Sequence, residues 1–314
     1  MLNSLLAFSV TQKASDLHLS SGEKPCIRVN GDLKRLSEDK LLPQKLKIDL
    51  LNILNVKQKA ILQQHQHIDF VYHVEDVGRF RVNIFYQQRG ISAVFRIIKQ
   101  QIPSLSEIDA PKVINELAKA ESGMILVTGA TGSGKSTTLA ALIQYINQTQ
   151  AKHIITLEDP IEFIYQNDKS LIQQRELNYF GSAIDSILRQ DPDIILLGEL
   201  RNRHTIQAAL TIAETGHLVL ATLHTSSAIQ TINRIVDVFD DGSRDLIRSQ
   251  LSNSLKAIIC QKLVPYNESR KAIYEVLINT PAVSNLINEG KTKQILSLMQ
   301  TGQQYGMQLM TSNL

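Results

Sequence analysis

Residues 129–136 read GATGSGKS. Three glycines, a lysine and a hydroxyl residue at this spacing complete G-x-x-x-x-G-K-[ST], the pattern of a phosphate-binding loop. Gly129, Gly132 and Gly134 let the backbone turn its N–H groups toward phosphate oxygens. Lys135 can reach the β and γ phosphates, and the Ser136 hydroxyl can ligate Mg2+. The candidate binding segment for ATP and Mg2+ is therefore Gly129, Ala130, Thr131, Gly132, Ser133, Gly134, Lys135, Ser136 and Thr137. At average glycine usage, a chance match in a chain of 314 residues is on the order of one per cent.

Two acidic positions could complete a hydrolytic site. The apolar run HIITL (153–157) ends in Glu158-Asp159-Pro160, and DIILL (193–197) ends in Gly198-Glu199. Hydrolysis of a nucleotide needs one acidic group in the Mg2+ shell and one to orient or deprotonate the attacking water. A lone acid after a strand is more often a turn or helix cap. Two of them beside a complete phosphate loop reverse that preference. The sequence leaves the base open between the two, with Glu158 favoured for water activation. Glu199, with Ser136, is favoured for Mg2+ and water positioning.

The stretch AETGHLVLATLHTSS (213–227) carries two histidines, His217 and His224. On a strand they stand roughly 23 Å apart at ~3.3 Å per residue, and on opposite faces. On a helix they are still about 10 Å apart along the axis. Bonds from His to zinc are ~2 Å long, so this pair cannot share one ion. His224, at the carboxyl end of the expected strand, is a candidate reporter of the γ-phosphate. His217, at the entry edge, is the weaker nucleotide-site candidate.

These residues need elements to position them. MILVT (124–128), HIITL, DIILL and HLVLATL (217–223) are nearly continuous apolar runs, as parallel strands buried on both faces require. They alternate with helix-like segments, which predicts a doubly wound α/β domain over 123–314. Ligands of such sheets bind beyond the carboxyl ends of the strands, where all four runs place polar groups. From about 244 the strand rhythm is lost and a mainly helical region is expected.

Residues 1–98 read as a separate α+β domain. PCIRVNGDLKRL (25–36) holds an Asn-Gly hairpin signal, and 41–64 is expected to be helical. GRFRVNIFYQQRGISAVFRII (78–98) predicts two strands, with Phe80, Val82 and Ile84 on one face and Arg79, Arg81 and Asn83 on the other. The polar, proline-containing segment 99–122 is expected to be the linker.

Composition narrows the function. The charge is +3, with 33 basic and 30 acidic residues, which is no footprint for nucleic acid or an acidic membrane. Cys26 and Cys260 are the only cysteines, too few for a disulfide framework or a four-cysteine zinc site. No apolar run approaches the ~20 residues that span a bilayer. The start, MLNSLLAFSV, lacks the basic region of a signal peptide, so the expected location is the cytoplasm, with no direct membrane insertion.

With these residues assembled, the chain resembles the secretion ATPases of type II secretion and type IV pili, and within them the pilus-retraction ATPases. The resemblance runs over nearly the whole chain. It rests on SDLHLS (15–20), IRVNGDLKRL (27–36), VTGATGSGKSTTLAALI (127–143), ITLEDPIEF (155–163), DPDIILLGELR (191–201), AETGHLVLATLHT (213–225), RIVDVF (234–239) and YGMQLM (305–310). It implies a PAS-like N-terminal domain joined to a RecA-like ATPase domain. It further implies a homo-hexameric ring peripheral to the inner membrane, a pilus platform protein there as partner, and a paralogous retraction ATPase as a further one. Arginines of the N-terminal domain would approach the nucleotide phosphates, with Arg79, Arg81 and Arg96 at the matching positions. The absence of a four-cysteine element and the early start favour retraction over assembly. The likeness departs at AVSNLINE (282–289), where Ser284 and Asn288 replace arginines, at Asn202, after QQREL (173–177), and at the early end. The alternatives are an accessory or assembly ATPase, a nucleic-acid translocase, and an ATP-binding ring without turnover.

Overall fold

The computed structural model describes residues 1–98, 101–177, 181–266 and 269–310. The segment directly after QQREL, residues 99–100 of the expected linker and the last four residues lie outside the described residues. The chain divides into two compact units, Met1–Gln101 and Ile102–Leu314.

The first unit opens with helix α1 (Leu2–Thr11), followed by β1 (Asp16–Ser20), β2 (Cys26–Val29) and β3 (Asp32–Arg35). Helices α2 (Pro43–Asn52) and α3 (Val56–His65) come next, then β4 (His67–Val74), β5 (Gly78–Gln87) and β6 (Gly90–Ile98). The strands form one antiparallel sheet in the order β3-β2-β1-β6-β5-β4. Asn30 and Gly31 both have positive φ, 53° and 94°, which gives the hairpin the twist its strands need. Phe80, Val82 and Ile84 are buried together with Leu17, Phe95 and residues of α2. The expected single helix over 41–64 is two. It breaks at Ile53–Asn55, where Asn55 accepts from the Gln58 backbone N–H and Gln58 accepts from that of Asn55, a reciprocal cap that starts α3.

The second unit contains α4 (Val113–Leu117), β7 (Gly123–Thr128), α5 (Lys135–Thr149), β8 (His153–Glu158), β9 (Leu171–Glu176) and α6 (Gly181–Ile187). It continues with β10 (Ile194–Leu197), α7 (Arg203–Glu214), β11 (Leu218–Leu223), α8 (Ala228–Asp237) and α9 (Asp241–Ser254). The last elements are β12 (Leu255–Tyr266), β13 (Ser269–Ile278), α10 (Pro281–Asn288) and α11 (Ile295–Thr301). The sheet order is β13-β12-β7-β11-β10-β8-β9, and every pair is parallel except β12–β13. Alternate residues of β7 serve opposite cores. Met124 and Leu126 pack with residues of α7, α8 and α9, while Ile125 and Val127 pack with Leu139, Leu142 and Ile146 of α5. Burial on both faces is why these strands read as unbroken apolar runs.

Two expectations change here. The region after 244 is not mainly helical throughout, because the β12–β13 hairpin stands between α9 and α10. β12 follows Ser254 directly, with no glycine or proline to announce the change, and its Ala257, Ile258, Ile259 and Cys260 are buried against β7. Residues 102–122 belong to the second unit, with Leu105, Ile114 and Ala118 in its core. The edge strand β9 (LIQQRE) carries too few apolar residues to be recognised by pattern.

Candidate functional site

The carboxyl ends of β7, β11, β10 and β8 stand side by side at one edge of the parallel sheet. Along that edge come the GATGSGKS loop, His224, Glu199 and Glu158. Chain order is different: β8 and β10 precede β11, and crossover connections bring the last strand next to the first.

The loop leaves β7 at Thr128 and enters α5 at Lys135. Gly129 and Gly134 have φ of 145° and 90°. A Cβ at Gly129 would run into the Gln261 carbonyl, so close approach as well as backbone angle requires glycine. Gly134 is the N-cap of α5 and no side chain caps that terminus. The first N–H groups of the 15-residue helix are therefore open to an anion, in the positive end of its dipole.

Lys135 is largely buried. Its Nζ donates to the carbonyls of Gly129 at 2.9 Å and Ala130 at 3.0 Å, and lies 3.4 Å from His224 Nδ1. Burial lowers its pKa, against the opposing pull of Glu199, Glu162 and Cys260. An ammonium only donates, so His224 Nδ1 accepts and the ring proton sits on Nε2. That proton faces Glu199 Oε1 at 3.1 Å. The other Glu199 oxygen accepts from Arg201 Nε at 2.9 Å, and Arg201 also lies 3.5 Å from Asp159 Oδ2. Arg201 thus ties the end of β10 to the end of β8. Thr222 Oγ1 donates to the Gly198 carbonyl at 2.5 Å, which fixes the Glu199 turn to β11.

Glu158 ends β8 next to Gly198. Its Oε1 accepts from Thr156 Oγ1 at 2.7 Å and from Gln174 Nε2 at 3.2 Å. Its pKa is raised, chiefly by burial; those two hydrogen bonds and one from the Glu162 backbone oppose the rise, and the charge of Glu162 adds to it. A carboxylate with a raised pKa is a stronger base once ionised. Ser136 and Thr137, half-buried, begin the first turn of α5.

The structure brings Lys135, His224 and Glu199 into one chain of contacts. It leaves His217 at the other end of β11, which corrects its placement with the nucleotide-site residues within this chain. Six strand residues separate the two histidines, and His217 Nδ1 faces Thr215 Oγ1 at 3.2 Å and the Ile212 carbonyl at 3.3 Å. Arg79, Arg81 and Arg96 lie in the first unit, on one face of its sheet. Arg81 and Arg96 are paired across β5 and β6, and Arg96 Nε donates to Asp16 Oδ1 at 2.9 Å. Arg201, Gln174 and Gln261 stand at this site outside the candidate residues that the sequence singles out. Arg201 ends the DPDIILLGELR stretch and is within reach of the sequence; the two glutamines sit in strands that the sequence pattern did not reveal.

The model of the family described as Type II/IV secretion system protein matches residues 1–272. A Neisseria gonorrhoeae "Twitching motility protein" is 47% identical over 325 residues, covering 99% of this chain and 87% of that protein. The Pseudomonas aeruginosa "Type IV pilus retractation ATPase PilT" is 47% identical over 312 residues, covering 98% and 91%. The fold is similar to a crystal structure of the pilus retraction motor PilT with bound ADP, at TM-score 0.91 and 42% identity, over 95% of this chain and 89% of that one.

Proposed function

The chain belongs to the type II/IV secretion system protein family, and from that premise we propose that it hydrolyses ATP to drive retraction of a type IV pilus. Near-full-length likeness to retraction proteins supports the biological role. The observation that carries the chemistry is the Lys135–His224–Glu199 chain of contacts beside an uncapped helix terminus.

A polyanion suits this loop. Lys135 is held out of water by its own loop's carbonyls, and a phosphate would replace them with an opposite charge. Among the described residues, no group of three or more His, Cys, Asp or Glu could hold a metal ion by itself. Ser136 and Glu199 offer hard oxygen ligands, which suit Mg2+ carried in by the phosphates. Bound Mg2+ neutralises charge on the β and γ phosphates. The loop N–H groups and Lys135 hold the phosphates. His224 Nδ1, once Lys135 turns to phosphate, is released to report the γ position. Glu158 takes the proton of the attacking water, and Glu199 keeps its place through Arg201 and His224. A homo-hexamer acting on a membrane platform protein is the working assembly. Among the described residues no helix is long and apolar enough to cross a membrane.

The test is made in the source cell. Deleting the gene is expected to leave excess surface pili and no twitching, and Lys135→Ala to reproduce that phenotype. Bald cells would place the protein in assembly instead, and unchanged pili and twitching would remove it from both.

A further inference from the structure

The β12–β13 hairpin reaches the nucleotide site at two points that the phosphate-loop pattern does not include. β12 runs parallel to β7 with Cys260 opposite Thr128, so Gln261 stands one residue beyond the end of β7, under the loop. Gln261 is 2% exposed. Its Nε2 donates to the Ser133 carbonyl at 2.6 Å. The same nitrogen would stand 3.0 Å from a Cβ at Gly134, and the Gln261 carbonyl bars one at Gly129. Two of the three glycines of the loop thus close down on this one residue.

The direction of that hydrogen bond has a chemical consequence. In a trans peptide the carbonyl and the N–H point opposite ways. With the Ser133 carbonyl drawn down to Gln261, the Gly134 N–H is aimed away from Gln261, to the side where phosphate oxygens bind. Gln261 Oε1 and Ser133 Oγ are both buried without a hydrogen-bond partner among the described residues. Turning the Gln261 amide over would put Oε1 against the Ser133 carbonyl, acceptor against acceptor. A methionine would fill the space with no unpaired acceptor. A buried glutamine that leaves one end unsatisfied is a local fault for folding, and such faults gather at functional sites.

The second point lies across the hairpin. Glu275 on β13 is opposite Cys260. Its Oε1 accepts from the Ala228 N–H at 2.7 Å, at the start of α8. Cys260 Sγ donates to the Thr225 carbonyl at 3.7 Å. Residues 225–228 are the segment directly after His224, so the hairpin holds both ends of the phosphate-reading apparatus.

We propose that the β12–β13 hairpin is the positioning element of the nucleotide site: Gln261 aims the loop N–H groups at phosphate, and Glu275 holds the segment that sets His224. This rests on the nucleotide-site reading above, and the two can fail separately.

The test uses the purified full chain, with ADP and Mg2+ as the binding probe and ATP turnover as the second readout. Gln261→Met and Gln261→Glu should raise the Kd for ADP about 10- to 100-fold, the range for losing a hydrogen bond to a charged group. Glu275→Leu should lower kcat while leaving the Kd for ADP within a factor of about two, because it touches the His224 segment and not the loop. Glu275→Gln, which keeps the acceptor, should restore the rate. Melting without nucleotide separates positioning from collapse, and Gln261→Asn with a parental melting point carries the test if the longer variants fail to fold. Parental ADP affinity in a folded Gln261 variant overturns the proposal, as does parental kcat in Glu275→Leu. If Lys135→Ala loses ADP while Gln261→Met keeps it, the site reading stands and only the hairpin's role falls. A parent chain that binds no ADP overturns both.

Discussion

Glu158 and Glu199 end neighbouring strands and live in different surroundings. Glu199 is held by a histidine and an arginine at 3.1 and 2.9 Å, which fix where its two oxygens point. Burial raises the pKa of Glu158 against its Thr156 and Gln174 hydrogen bonds. This difference favours Glu158 as the base and Glu199 as the ligand. The sign of the pH effect follows. A base must be ionised, and a raised pKa keeps the proton on to higher pH. The acid limb of kcat is therefore expected above the ordinary glutamate value of ~4.3. Glu158→Gln should lower kcat by about 10²- to 10⁴-fold, the usual worth of a general base. A pH–rate profile of both proteins decides this: an acid limb at or below the ordinary value, or a parental rate in the variant, assigns the base elsewhere.

At the scale of elements, two of the departures from the family pattern, Asn202 and Ser284, have structural explanations. Asn202 is the N-cap of α7. Its Oδ1 accepts from the Thr205 N–H at 3.0 Å, and Thr205 Oγ1 accepts from the Asn202 N–H at 3.3 Å. Asn and Asp are comparable N-caps, so this replacement leaves the helix start intact. Asn202→Ala is expected to lower stability by ~1 kcal/mol and Asn202→Asp to leave it nearly unchanged, measured by urea unfolding. Equal stability of the alanine variant would show that α7 does not depend on its cap. Ser284 on α10 donates to the Ser252 carbonyl at 2.9 Å, joining α10 to the end of α9. An arginine at 284 could not make that short bond. The position therefore serves local packing here instead of presenting a charge.

For the whole molecule, the two cysteines report on the two units separately. Cys26 lies half-exposed in the first unit, and Cys260 is buried in the second. Burial pushes the Cys260 thiol up to about 11, so it stays protonated at neutral pH and is a poor nucleophile. Iodoacetamide on the native protein should label Cys26 and spare Cys260, and denaturant should expose Cys260 as the second unit opens. Mass spectrometry of the labelled peptides reads this directly. Rapid native labelling of Cys260 would mean that β12 opens from β7 far more readily than its buried contacts allow.

Local chemistry carried much of this protein in its sequence. The phosphate loop was legible because glycine spacing, a lysine and a following helix are all local requirements. The strands β7, β8, β10 and β11 were legible because burial on both faces makes a strand apolar throughout. The β12–β13 hairpin and β9 were not: one follows a helix without a turn signal, and the other is a polar edge. Tertiary structure alone decided the rest. Crossover connections seat β11 between β7 and β10, which puts His224 between Lys135 and Glu199 and leaves His217 a strand's length away. Likewise only the parallel pairing of β12 with β7 places Gln261 beneath a loop more than a hundred residues before it. Contacts of that kind depend on strand order and register, which depend on packing across the whole sheet and leave no local mark in the chain.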